Sequence, residues 1–207
     1  MKKNFRNLAI VAISLLLASC GTQPATEYGT WADALDASAW ESSQWISAVD
    51  APVVTGKTGD MQNNRAADGS SWFVSTIKNE QKVASAKWMT TGLGVYEIYV
   101  NGKAIGKEFM KPGYTHYAKT RRSFTYDITD AFKTAANAEN VLSAQVTPGW
   151  WGDKIVTQNY IKGMYGKKCA FRGVLELTFA DGTKKLYGTD LENWKAGIAG
   201  PVKHAAI

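Results

Sequence analysis

From Trp72 onward the chain alternates apolar and polar positions with a period of two. In Gly94–Val100, Tyr96, Ile98 and Val100 share one face; in Ser123–Ile128, Phe124, Tyr126 and Ile128 do. The pattern repeats in Val141–Val146, through Leu142, Ala144 and Val146, and in Val174–Phe179, through Leu175, Leu177 and Phe179. Successive side chains of a strand point to opposite sides, so this spacing predicts strands with one buried face and one wet face. Asn101-Gly102 and Asp181-Gly182 directly follow two of these segments and predict type I′ hairpin turns, whose two central residues both need positive φ. The expected fold is all-β, an antiparallel β-sandwich of jelly-roll type. One short helical turn is expected over Asp127 to Phe132, where Thr129 or Asp130 can cap.

Upstream of Trp72 the pattern changes. Met1 to Arg6 is basic, Leu8 to Ala18 is an apolar run too short to cross a bilayer, and Leu17-Ala18-Ser19-Cys20-Gly21 follows. A basic flank, a short apolar core, small residues and a cysteine in that order resemble a bacterial lipobox. The expectation is a lipoprotein signal peptide over residues 1–19, lipidation of Cys20, and firm anchoring in the bacterial cell envelope by several acyl chains. Residues 20–39 are expected to be a tether and 40–207 the folded domain. The segment "WADALDASAWESSQW", Trp31 to Trp45, has the makings of a short amphipathic helix broken by Ser and Asp. Residues 55–70 are turn formers with almost no apolar content and predict a long surface loop.

Composition narrows the function. The 207 residues are 45% hydrophobic and 20% charged, enough for one core. The formal charge of +6 includes Lys2, Lys3 and Arg6, so a chain processed before Cys20 carries about +3. The remaining Lys and Arg are scattered, which argues against nucleic-acid binding. With Cys20 lipidated, Cys169 has no cysteine to pair with and is expected to be a buried filler.

Candidate chemistry is sparse. No phosphate loop, nucleophile elbow, paired-cysteine zinc site or HExxH occurs. Asp127 and Asp130 are read as turn-capping residues. Glu97 and Glu176, on polar strand faces, are read as solvated, and His116 is a lone loop histidine. What remains is aromatic. "TPGWWGDK", Thr147 to Lys154, sets Trp150 and Trp151 side by side in a turn, and Tyr114, Tyr117, Tyr160 and Tyr165 also fall in loops or at strand ends, with Asp153, Gln158 and Asn159 nearby. Flat aromatics beside carboxylate and amide groups suit the apolar faces and hydroxyls of sugars. The same residues equally suit a plug for the end of the sandwich or a contact with another domain. The candidate carbohydrate-binding residues are Trp150, Trp151, Asp153 and Tyr114.

Several pieces in order, "GLGVYEIYVNGKAIG", "PGYTHY", "YDITDAF", "NVLSAQVTPGWWG", "LELTFADGT" and "GTDLENWKAGIAGPVKHAAI", resemble the N-terminal domain of bacterial α-L-rhamnosidases of glycoside hydrolase family 78. The resemblance covers roughly residues 40 to 207. It departs at Gly113-Tyr114-Thr115, where the family commonly has Gly-Trp-Thr, and at Pro148-Gly149-Trp150-Trp151, where it commonly has x-Gly-Trp-Tyr. It implies a rhamnose-containing glycan as ligand and a separate (α/α)6 barrel carrying the catalytic glutamates of an inverting hydrolase. No residue here matches those glutamates, so the chain is not expected to hydrolyse anything alone and is expected to be a fragment or a truncated product. Related modules in some of these enzymes bind L-rhamnose with a calcium ion. The resemblance therefore makes Ca2+ a candidate cofactor, with Asp153 or Asn159 as possible oxygen donors.

Overall fold

A computed structural model describes residues 27–48, 70–152, 165–166, 168–198 and 202 of the 207-residue chain. The Cys20 lipidation signal and Asp153, Gln158, Asn159 and Tyr160 lie outside the described residues, as does nearly all of the loop expected over 55–70. Among the described residues ten strands form two five-stranded sheets. These are β1 Thr30–Trp31, β2 Ser71–Lys78, β3 Val83–Leu93, β4 Val95–Val100 and β5 Lys103–Ala104, then β6 Phe124–Asp127, β7 Glu139–Thr147, β8 Ala170–Phe179, β9 Lys184–Gly188 and β10 Trp194–Gly197. One sheet has the order β1-β6-β3-β8-β9 and the other β10-β2-β7-β4-β5. Every strand pairing is antiparallel.

The period of two places the core as expected. Tyr96, Ile98 and Val100 of β4, Leu142, Ala144 and Val146 of β7, and Leu175, Leu177 and Phe179 of β8 all turn inward and are buried. Rings interlock between the sheets: Phe171 stacks on Phe73 at 6.1 Å and meets Trp88 and Tyr96 edge-on at 6.1 and 5.9 Å. Fully burying such a side chain is worth about 1.5–3 kcal/mol. The 11-residue strand β3 shows no clean alternation because it is covered on both sides. Trp88 joins the main core while Met89 packs outward with Val174 and Ala39.

That outward packing explains the N-terminal segment. Residues Ala37–Ser42 form a 3-10 helix, capped by the Asp36 carboxylate, which accepts from Ser38 N at 2.8 Å. The helix lays Ala39 over Met89 and Val174, with Leu35 and Trp40 alongside. Residues 28–39, expected in a polar tether, are therefore built into the sandwich: β1 pairs with β6, and Tyr28 bridges to Ile105. Their polar composition hid this because they join through backbone pairing and a few small apolar contacts.

Two turn expectations are refined. Asn101 (φ 52°) and Gly102 (φ 79°) both have positive φ, as a type I′ hairpin between β4 and β5 requires. At Asp181-Gly182 only Gly182 does (φ 85°), and Gly182 N donates to Phe179 O at 2.9 Å. This is a type I turn followed by a left-handed glycine, and the Asp181 carboxylate fixes it by accepting from Thr183 N at 2.9 Å. The expected helical turn at 127–132 is a pair of tight turns, Ala131 N to Ile128 O and Phe132 N to Thr129 O. Asp127 caps it by accepting from Thr129 N at 3.0 Å. Thr129 and Asp130, the expected caps, are used elsewhere: Thr129 Oγ1 accepts from Ala86 N, and the Asp130 carboxylate accepts from Gly29 N.

Candidate functional site

Two connections meet at one end of the sandwich: the segment from Ile105 to Ser123 between β5 and β6, and the short helix α1, Gly149–Gly152, which follows β7. Gly149 has φ of 45°, and a Cβ there would run into Val95, so only glycine lets α1 turn this closely off the sheet. The first connection is held from beneath by Lys111. Its side chain is fully buried, and its ammonium donates to Glu97 Oε2 at 2.8 Å and to the carbonyls of Glu108 and Ile105 at 3.0 and 3.4 Å. Its carbonyl accepts from Tyr96 N at 2.7 Å, joining the loop to the edge of β4. Glu97, expected to be merely solvated, is the counter-ion of a buried cation. Glu176 is likewise mostly covered and paired with Lys184 at 3.0 Å.

A second clamp lies beside the first. The Glu108 carboxylate accepts from Trp31 Nε1 and from the Tyr126 hydroxyl, the latter at 2.6 Å. Burial pushes the Glu108 carboxyl up, but these two hydrogen bonds and the nearby Lys111 outweigh it and hold it below its ordinary value. Burial and the same carboxylate push the Tyr126 hydroxyl far up, so it stays protonated and donating.

On this base sit the aromatic residues. Tyr117, Trp151, Tyr165, Tyr114 and Trp150 form a continuous edge-to-face chain. Tyr117 meets Trp151 at 5.6 Å, Tyr165 at 5.2 Å and Tyr114 at 6.5 Å, and Tyr114 meets Trp150 at 6.3 Å. Tyr117 is the buried centre; its hydroxyl donates to Gly113 O at 3.1 Å and burial pushes it up to about 12. The hydroxyls of Tyr114 and Tyr165 lie 3.3 Å apart, and the His116 ring rests against Tyr165.

The two tryptophans are held differently. Trp151, itself half-buried, is tied down: its Nε1 donates to Lys168 O at 2.9 Å, and its ring lies so close over Gly166 that a Cβ there would collide with it. Trp150 is half-buried and, among the described residues, its ring contact is with Tyr114, itself 51% exposed. Trp150, Trp151 and Tyr114 thus come together as expected, while Asp153 lies outside the described residues. Tyr117 and Tyr165, noted in the sequence as loop aromatics, complete the cluster. Lys111 was not anticipated, because a lysine in a loop carries no sign of burial.

Neither metal nor thiol chemistry has a centre among the described residues. No three His, Cys, Asp or Glu side chains stand together there, so those around the aromatic cluster do not by themselves make the oxygen-rich shell calcium needs. Burial pushes the Cys169 thiol up to about 12, which suits a filler and not a nucleophile.

Comparisons with known proteins find several α-L-rhamnosidases. The Streptomyces avermitilis α-L-rhamnosidase is 35% identical over 127 residues, covering 61% of this chain and 12% of that protein. A Formosa agariphila α-L-rhamnosidase is 29% identical over 180 residues, covering 81% of this chain and 18% of that protein. Among solved structures, an Aspergillus terreus α-L-rhamnosidase superposes with a TM-score of 0.69 at 25% identity, over 84% of this chain and 18% of that one. The Streptomyces avermitilis enzyme, solved with L-rhamnose, superposes with a TM-score of 0.63 at 28% identity, over 75% and 14%. The chain thus spans under a fifth of the length of these relatives. The family described as "Alpha-L-rhamnosidase N-terminal domain" matches residues 81–207, more than half of the chain, and the protein belongs to that family.

Proposed function

We propose that this chain is the glycan-recognising N-terminal domain of a lipid-anchored α-L-rhamnosidase, with Trp150 and Tyr114 as its contact surface for rhamnose-containing glycans. The observation that carries the reading is the division of labour in the aromatic cluster. Tyr117 and Trp151 are held by hydrogen bonds and ring contacts, and half-exposed Trp150 and Tyr114 meet edge-to-face at 68° beside them. A rhamnose ring offers an apolar face and a methyl group to such a surface, and preorganised aromatics bind it with little entropy to lose. The L-rhamnose complex of the Streptomyces avermitilis relative supports that choice of ligand. Hydrolysis is assigned to a catalytic (α/α)6 domain of the longer enzyme. Asp153 belongs to the same proposed surface, and calcium enters only if that residue and its neighbours supply its ligands.

The test is titration of the 207-residue chain with methyl α-L-rhamnopyranoside, followed by the indole N–H signals in NMR. Trp150→Ala should abolish binding while lowering stability little, and Trp151→Ala should destabilise the domain. Wild-type affinity in Trp150→Ala would refute the contact role. Anchoring is read from fractionation: Cys20→Ser should move the protein from the membrane to the soluble fraction, and its retention on the membrane would refute lipidation at that residue.

One observation favours a second role. Phe109 is 92% exposed and follows Glu108, whose carboxylate holds the exposed Trp31; Met110 is exposed beside it. Apolar surface kept in place by a hydrogen-bonded clamp fits a contact with another domain of the enzyme. Phe109→Ser should then destabilise the longer enzyme without altering glycan binding by this one.

A further inference from the structure

The polypeptide enters the sandwich on the flank where edge strand β1 of one sheet meets edge strand β5 of the other, and Tyr28 ties the two by pairing with Ile105. Three contacts pin this entry. Gly106 N donates to Tyr28 O at 2.8 Å, Gly29 N donates to Asp130 Oδ1 at 3.2 Å, and the Lys103 ammonium stands 4.2 Å from the centre of the Tyr28 ring. Strands β9 and β10 are the opposite edges of the two sheets. The tether expected over residues 20–39 is therefore short: only eight chain steps separate Cys20 from the pinned Tyr28. At about 3.3–3.6 Å per residue they reach at most roughly 29 Å, so a lipid on Cys20 holds the entry flank within that distance of the bilayer.

The same flank carries exposed apolar side chains. Trp31 is 59% exposed, Phe109 92% and Met110 40%. Trp31 is mounted in place: its ring meets Phe124 at 5.2 Å and Tyr126 at 6.0 Å, and its Nε1 donates to the carboxylate of Glu108, the residue before Phe109. The Lys111 ammonium holds the same segment from the other side through the Glu108 carbonyl at 3.0 Å. Met110 has φ of 59°, a left-handed backbone that glycine adopts without strain, yet the position holds a long apolar side chain. A side chain kept in a strained conformation and left in water has its use outside the domain.

Charge selects no partner on this flank. Lys103 and Lys107 are offset by Glu27 and Asp33 in the adjoining segment, while the Glu108 and Asp130 carboxylates are engaged by Trp31, Tyr126 and Gly29. What the segments offer is aromatic and apolar surface without net charge, which suits the interfacial zone of a bilayer, where Trp and Phe rings settle at headgroup level. Lipid and a neighbouring domain compete for these residues. The short tether beginning beside them favours lipid, because anchoring at Cys20 brings this flank, and not the β9–β10 flank, to the surface.

We infer that Trp31, Phe109 and Met110 form a membrane-contact surface that settles into the headgroup region of the bilayer holding the Cys20 lipid. Contact by this flank fixes the orientation of the domain and turns β9 and β10 toward water. This assignment rests on lipidation of Cys20 and is independent of whether Trp150 contacts glycan.

The lipidated chain, carrying Cys169→Ala, is reconstituted in phosphatidylethanolamine–phosphatidylglycerol vesicles with a nitroxide on Lys107→Cys or, separately, on Glu192→Cys; both positions are exposed, the second beside β10. Power-saturation electron paramagnetic resonance reads each label's access to oxygen and to a water-soluble nickel complex, and sedimentation with the vesicles reads the anchor. Relative to the unanchored Cys20→Ser protein, the label at 107 should lose most of its access to nickel and gain access to oxygen, while the label at 192 stays open. Phosphatidylcholine vesicles should give the same shielding, since the contact is apolar. Phe109→Ser, at a position too exposed to matter for folding, should restore the water-like signal at 107 with the protein still sedimenting. The membrane contact is overturned, and the anchor stands, if the protein sediments but the label at 107 stays as open as in Cys20→Ser, or if Phe109→Ser leaves the shielding intact. An open label at 107 together with loss of stability of the longer enzyme in Phe109→Ser would give the surface to another domain. Shielding of 107 already present in Cys20→Ser would make a second copy of the chain the occupant and overturn the lipid contact. Failure to sediment would remove the anchor and this contact with it.

Discussion

Removing Glu97 should cost far more than its place on a strand face suggests. Lys111 has no side-chain exposure, whereas Glu97 is 36% exposed, so the two halves of the ion pair are not equivalent. Glu97→Ala leaves a buried ammonium with only two backbone carbonyls, at 3.0 and 3.4 Å. Stranding a buried charge costs about 3–5 kcal/mol, and the low end applies here because those carbonyls remain, giving about 3 kcal/mol. At roughly 2–4 °C per kcal/mol for a domain of this size, the melting temperature should fall by ~6–12 °C. Lys111→Met keeps the volume, buries no charge, and leaves a Glu97 carboxylate that water can reach. Its loss should be smaller, about 1–2 kcal/mol for the two carbonyls it abandons. Thermal unfolding followed by near-UV circular dichroism, with the double variant closing the cycle, measures both. Because the pair fixes the loop that presents Tyr114, the near-UV aromatic signal of Glu97→Ala should weaken before the far-UV signal melts. A Lys111→Met variant less stable than Glu97→Ala would refute the reasoning, since the buried charge would not then be what Glu97 satisfies.

Two further outcomes follow from hydrogen bonding. Asn140 is fully buried; its Oδ1 accepts from Lys133 N at 2.7 Å and from Asn101 Nδ2 at 2.9 Å, closing the end of the sandwich opposite the aromatic cluster. Asn140→Ala should therefore lower the unfolding free energy by about 2–4 kcal/mol, read from urea titration. Glu108 has a folded-state carboxyl held below its ordinary value of 4.5, so it stabilises the fold above that value and the contribution is lost as pH falls through the lowered one. Glu108→Gln should flatten this acid limb, and urea midpoints measured across it should show wild type losing more than the variant.

How much of this was legible in the sequence depended on whether a residue's partner lay within reach of a local pattern. Strands β4, β7 and β8 announced themselves because one face is wet, and Asn101-Gly102 because its turn needs nothing beyond two residues. Strand β3 did not, because Trp88 and Met89 are buried on opposite faces and the alternation disappears. Residues 28–39 do not read as part of the sandwich for a related reason: their pairing with β6 and Ile105 is made largely by backbone, which composition does not report. Trp150, Trp151 and Tyr114 were found as loop aromatics, but the clamps beneath them were not. Glu97 and Lys111 are 14 residues apart, and Trp31 and Glu108 are 77 apart.

The paired tryptophans show why a motif alone left the choice open. The helix Gly149–Gly152 carries two adjacent tryptophans, both half-buried, and they differ in what each one touches. Trp151 is held because Gly166 admits its ring and Lys168 supplies a carbonyl for its N–H. Trp150 is then directed at Tyr114, whose loop is anchored by a cation the sheet has fully buried. The exposed ring of Tyr114 thus depends on Lys111 and Glu97, two charged residues beneath its loop. A domain whose only task was to fill the gap beside a neighbour would gain as much from a flexible apolar loop. Anchoring the loop that carries Tyr114 is what a binding surface for a weakly held ring would require, since every loop motion frozen on binding subtracts from the affinity of a small ligand.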